Sequence, residues 1–76
     1  MRTYTVSCEW DAGAAVWYVA DSDVPGLATE APTLDLLEAK LQQMIPELLE
    51  LNAGLQPHEA VPFELITHKR ELAKLA

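Results

Sequence analysis

From Thr3 to Trp10 apolar and polar residues take turns: Tyr4, Val6, Cys8 and Trp10 fall on one side, Thr3, Thr5, Ser7 and Glu9 on the other. A period of two is that of a half-buried strand, so residues 3–10 predict a first strand. Asp11-Ala12-Gly13-Ala14 follows with turn chemistry, Gly13 being free to take a positive φ. The alternation resumes over residues 15–21 as a second strand, with Val16, Tyr18 and Ala20 on one face and Trp17 and Val19 on the other. Large apolar groups on both faces point to burial on both sides. Val24-Pro25-Gly26-Leu27 carries the Pro and Gly of a type II turn and sends the chain back as a short third strand, residues 27–31.

The period then changes. Pro32 ends the strand, the Thr33 hydroxyl is placed to accept from the first free helix amides, and Asp35 favours the positive end of a helix starting at about Leu34. Leu34, Leu37, Leu41, Met44, Ile45, Leu48 and Leu51 recur at three- and four-residue intervals as one apolar stripe, while Asp35, Gln42, Gln43, Glu47 and Glu50 take the opposite side. Pro46 removes one helical hydrogen bond and crowds the carbonyl four residues earlier, predicting a kink or broken turn near Gln42. Gly54 suits the left-handed stop after Asn52-Ala53. Residues 61–66 predict a fourth strand, which Pro62 restricts to an edge or to incomplete pairing near its start. The tail from His68 to Ala76 is compatible with a short helix carrying Leu72 and Leu75.

These elements predict an α+β fold in two layers, β-β-β-α-β, with an antiparallel sheet packed on one long helix and residues 1–76 forming a single domain. A chain of 76 residues is close to the size at which one core is barely self-sufficient, because a domain of about 60 residues buries only about 60% of its unfolded surface. Burying about ten large side chains at about 1.5–3 kcal/mol each roughly offsets chain ordering. A homodimer, formed through an edge strand or the uncovered sheet face, is therefore expected.

Charge narrows the partners. Twelve Asp and Glu stand against five Lys and Arg, a net charge of −7, so the long-range field repels phosphate backbones and direct nucleic-acid binding is not expected. Lys69, Arg70 and Lys74 gather near the C-terminus, while Asp11, Asp21, Asp23, Glu30 and Asp35 crowd the first half, a surface suited to a basic partner. No run approaches the roughly 18 apolar residues of a membrane helix, so no membrane role is expected. The start Met1-Arg2-Thr3-Tyr4-Thr5 lacks a secretory apolar region and the lone Cys8 excludes an intrachain disulfide, so the expected location is the cytoplasm.

Candidate chemistry is sparse. Asp11, Asp21 and Asp23 match no calcium-loop spacing and read as turn acids. His58, His68 and Cys8 lack the close pairs of a structural zinc site. Cys8 alternates with Tyr4 and Val6 as a small core hydrophobe, and the three isolated glycines form no phosphate loop. No catalytic residue, metal or cofactor is expected. Trp10 and Trp17 flank the first turn and can pair across the hairpin, and a sheet with one helix leaves one face uncovered, so one of its aromatics is expected to be partly exposed. Trp and Tyr are enriched at binding hot spots, which makes Trp10, Trp17, Asp21 and Asp23 the candidate partner contacts.

The Asp11-Ala12-Gly13 turn, Trp17-Tyr18-Val19, Asp23-Val24-Pro25-Gly26, Thr29-Glu30, Thr33-Leu34 and the helical Ile45-Pro46-Glu47-Leu48-Leu49-Glu50-Leu51-Asn52 together resemble the HicB-like antitoxins. They resemble more closely a family of short bacterial HicB-like proteins catalogued as a domain of unknown function. The resemblance implies a fold similar to a partial ribonuclease H or double-stranded-RNA-binding core without nuclease acids in a catalytic arrangement. It also implies a non-enzymatic module that neutralises a small basic mRNA-cleaving toxin by covering its active surface. Many such antitoxins continue into a C-terminal DNA-binding motif, for which the tail from His68 to Ala76 is too short. The alternative reading is a stand-alone structural or ligand-sensing homo-oligomer with no toxin. A hydrolase working through its aspartates is a third, without a supporting shell of residues around them.

Overall fold

The structure, a computed structural model, describes residues 2–54, 56 and 60–75. Its elements run β1 (Tyr4–Asp11), β2 (Val16–Ser22), β3 (Glu30–Ala31), α1 (Leu34–Ala53) and β4 (Phe63–His68), and the sheet order is β3-β2-β1-β4. This is the expected β-β-β-α-β arrangement, one helix on a four-stranded sheet. The sheet is mixed, however: β1 pairs antiparallel with β2 but parallel with β4. The expectation of an all-antiparallel sheet is corrected here, because the α1 connection returns the chain to the start of β1 and lets β4 run in its direction. Tyr4 N–H donates to the Pro62 carbonyl at 3.1 Å, so Pro62 accepts at the entry to β4 where it cannot donate.

Alternation in β1 divides the molecule. Tyr4, Val6 and Cys8 are buried in the core with Val24, Ala31, Leu37, Leu41, Ile45 and Leu49. The α1 residues of this set stand four apart, a ridge that winds slowly round the helix and continues to Leu49. Leu51, expected in the stripe, is 81% exposed, since it lies about 200° round the helix from Leu49. Thr33 caps α1 as expected, its Oγ1 accepting from Leu36 N–H at 3.2 Å, and Gly54 closes it with φ 68°. Pro46 causes no broken turn: α1 is continuous through it. Pro46 and Gln42 are both exposed, so the carbonyl deprived of its partner lies on the solvent side.

The turns follow local chemistry with one exchange. Gly26 has φ 76° and Leu27 N–H donates to the Val24 carbonyl at 3.3 Å, the type II turn expected at Pro25-Gly26. In the first hairpin the positive φ belongs to Ala15 (56°), not to Gly13. The Asp11 carboxylate accepts from the Gly13 and Ala14 amides at 3.0 and 3.2 Å, an Asx turn that settles Gly13 and passes the left-handed step on to Ala15. A bulge between Ser7 and Cys8 leaves Ala20 of β2 without a partner opposite. β3 is shorter than the expected 27–31, although Val19 N–H reaches the Thr29 carbonyl at 3.1 Å.

The short helix expected over 68–76 is absent among the described residues: β4 extends through His68, and 69–75 have no regular structure. A single two-turn segment is too short to hold a helix without a surface on which to bury its apolar side. Leu72 and Leu75 are 94% and 99% exposed, so no such surface is present. The segment runs on from β4 as an exposed arm, and the molecule is elongated, with extents of 56 × 22 × 17 Å and a radius of gyration of 14.4 Å against about 11 Å for a compact chain of this length.

Candidate functional site: the uncovered face of the sheet

Strand pairing decides which side chains share the face that α1 does not cover. Thr5, Ser7 and Glu9 alternate with the buried residues of β1, and each stands opposite a residue of β4: Glu64, Ile66 and His68 respectively. On the other side Ser7 stands opposite Asp21, Glu9 opposite Tyr18, and Tyr18 opposite Glu30. Residues directly opposite in a sheet project to the same face. The uncovered face therefore carries Glu9, Asp21, Glu30 and Glu64 around Tyr18 and Ile66, which are 37% and 51% exposed. Among its described strand residues there is no Lys or Arg, and His68, whose Nδ1 is 3.9 Å from Glu9 Oε1, is the single basic group. A hollow of about 390 Å³ opens there beside the bulge, lined by Thr5, Ser7, Asp21, Ser22 and Asp23.

The residues singled out from sequence go to different places. Trp10 and Trp17 do pair across the hairpin, ring centres 5.5 Å apart at 60°, edge to face. They lie half-buried at the end of the covered face, Trp17 packing on the core. The Lys69 ammonium sits 4.7 Å from the Trp10 ring centre and 5.9 Å from that of Trp17, and pairs with Glu71 at 3.3 Å. The exposed aromatic of β2 is Tyr18, so the expectation that β2 is buried on both faces is corrected: the helix covers only the side of Trp17 and Val19.

Asp21 is exposed on the uncovered face, whereas Asp23 is bound within the molecule. Thr5 N–H donates to Asp23 Oδ1 at 2.9 Å, the Arg2 guanidinium donates to Oδ2 at 3.2 Å, and Asp23 N–H returns a bond to the Thr5 carbonyl at 3.3 Å. The Thr5 amide first, and Arg2 after it, hold this carboxyl below the ordinary aspartate range. Asp23 thus prolongs the pairing of β1 and β2 past Ser22.

Asp11, Asp21 and Asp23 do not converge, and among the described residues no three of His, Cys, Asp and Glu gather as a metal-binding group. His58, weighed above as a zinc ligand, lies outside the described residues. Cys8 is buried, and burial pushes its thiol above the ordinary range, away from the reactive thiolate. No helix among the described residues is long and apolar enough to cross a membrane.

Sequence reasoning placed Tyr18 opposite Trp17 in β2 but missed Ile66 and Glu64 as members of the same face. The signal that joins them is the parallel register of β4 on β1, which no local pattern carries.

One helix over one side of a mixed four-stranded sheet, with acids and two apolar side chains on the other, defines a small two-layer α+β domain with an uncovered acidic face. The chain belongs to the family described as Domain of unknown function (DUF1902), whose model matches residues 3–76. It is similar to the hypothetical protein TTHA1013 of the extremely thermophilic bacterium Thermus thermophilus. That crystal structure matches with a TM-score of 0.68 at 44% identity, over 97% of this chain and 100% of that one. No curated protein matches the chain.

Proposed function

We propose that this domain is a non-enzymatic, cytoplasmic protein-binding module of the HicB-like antitoxin type, and that its uncovered sheet face receives a small basic protein. The observation that carries the reading is the sign of the charge on that face: Glu9, Asp21, Glu30 and Glu64 surround Tyr18 and Ile66 with no Lys or Arg among the described strand residues there. Complementary charge steers encounter and excludes like-charged partners, while the exposed Tyr18 and Ile66, one on either side of β1, supply apolar contact. The resemblance to HicB-like proteins makes an mRNA-cleaving toxin the expected partner. In this reading Asp21 contributes charge at the hollow and Asp23 holds the hollow's wall, while Trp10 and Trp17, on the covered side, lie outside the contact.

The test is co-expression with a short basic protein encoded in an adjacent reading frame. Co-purification and rescue of growth are expected, with both lost in Glu9→Lys/Glu64→Lys. A basic neighbour that neither co-purifies nor is neutralised removes the toxin reading.

A further inference from the structure

Two of the exposed surfaces among the described residues match in character. One is the uncovered face, acidic around Tyr18 and Ile66. The other is the arm, residues 69–75, where Leu72 and Leu75 are all but fully exposed. Lys69 is anchored on the tryptophan rings and paired with Glu71, whereas Arg70 and Lys74 make no ion pair among the described residues. Along an extended arm Arg70, Leu72 and Lys74 fall on one side, so the arm offers two free cations around a bare leucine to a face with free acids and two bare apolar side chains.

We infer that the arm of one copy docks across the uncovered face of a second copy, Leu72 packing between Tyr18 and Ile66 while Arg70 and Lys74, which share its side of an extended arm, meet the surrounding carboxylates. The arm's own face is not its target. Lys69 fixes its root at the hairpin end of the covered side, and 69–75 contain no Gly, Pro, Asn or Asp with which to turn back. The arm is long enough to cross the face, since seven residues extend at most about 25 Å and the six-residue strand β4 spans about 20 Å. Reciprocal exchange gives a closed pair, each copy supplying one arm and one face. This assembly does not rest on the toxin reading but uses the same face, so dimer and toxin complex exclude each other, and substitutions in the arm abolish the first while leaving the second.

Sedimentation velocity on the full chain at tens of micromolar tests the inference. The expected species is a dimer, twice the 8.4 kDa of the chain. Leu72→Asp/Leu75→Asp and, separately, Ile66→Asp are expected to sediment as monomers with unchanged far-ultraviolet circular dichroism. Mixing these two variants at hundreds of micromolar is expected to restore a heterodimer, weaker than the parent pair because it keeps one arm-face contact of the two. Arg70→Glu/Lys74→Glu is expected to weaken association at least tenfold at low salt, and by less at high salt. A monomeric full chain, a dimer that survives both leucine substitutions, or a mixture that stays monomeric would each overturn the inference. The second of these outcomes points instead to a dimer built on the β4 edge.

Discussion

The two faces of the sheet are written by the same strands one residue apart, yet they obey different rules. On the covered face Tyr4, Val6 and Cys8 meet the ridge of Leu37, Leu41, Ile45 and Leu49, and every side chain is determined by its neighbours. On the uncovered face Thr5, Ser7 and Glu9 meet Glu64, Ile66, Tyr18 and Asp21, and nothing in the chain determines them by packing. A strand's period of two lets one segment serve as scaffold and as recognition surface at once. Substitutions on the two sides therefore have separable consequences.

The largest separation is expected at Leu41. Leu41→Ala leaves a cavity under the sheet and should cost about 2–5 kcal/mol in urea unfolding, whereas Leu36→Ala on the outer side of the same helix should stay within about 0.5 kcal/mol. Equal losses would mean that α1 is not seated on the Leu37–Leu49 ridge. At the hairpin end of the covered face, Lys69→Met should remove a cation over two indole rings and cost about 0.5–1 kcal/mol, with a change in tryptophan fluorescence.

Asp23 gives a contrast with pH. Its folded carboxyl is held below the unfolded value of about 3.9, so its contribution is fully present above that value and is lost as pH falls through the lower folded one. The gap in melting temperature between the parent chain and Asp23→Asn should thus be widest at neutral pH and close in acid. A constant gap would show that the Thr5 and Arg2 bonds do not form. The smallest effect on stability belongs to the uncovered face: Ile66→Ser should shift unfolding by no more than about 0.5 kcal/mol while impairing association.

Much of the covered face was legible along the chain, because it is encoded by local periods. The alternation of Tyr4, Val6 and Cys8, the Thr33 cap, the Gly54 stop and the Pro25-Gly26 turn each follow from a few neighbouring residues. What local pattern does not carry is pairing between distant segments. The parallel seating of β4, and with it the membership of Ile66 and Glu64 in the acidic face, depends on where α1 returns the chain. The exchange of left-handed φ from Gly13 to Ala15 was hidden for a smaller reason: the Asp11 side chain secures the two amides before it. The tail illustrates the converse, a sequence with helix-forming residues but no surface to induce the helix.

The position of β1 in the middle of the sheet has a consequence in time. Its partner on one side, β2, follows after four residues, while its partner on the other, β4, begins only at Phe63. Contacts close in sequence form sooner than those that must close a long loop, so the hairpin precedes the parallel pair during folding. Until the last strand arrives, β1 presents a row of unsatisfied amides and carbonyls, which is the template on which growing chains aggregate. A chain interrupted before residue 63 would retain its turns and caps and still be a hazard to itself, and the C-terminal strand is what makes the newly synthesised molecule safe.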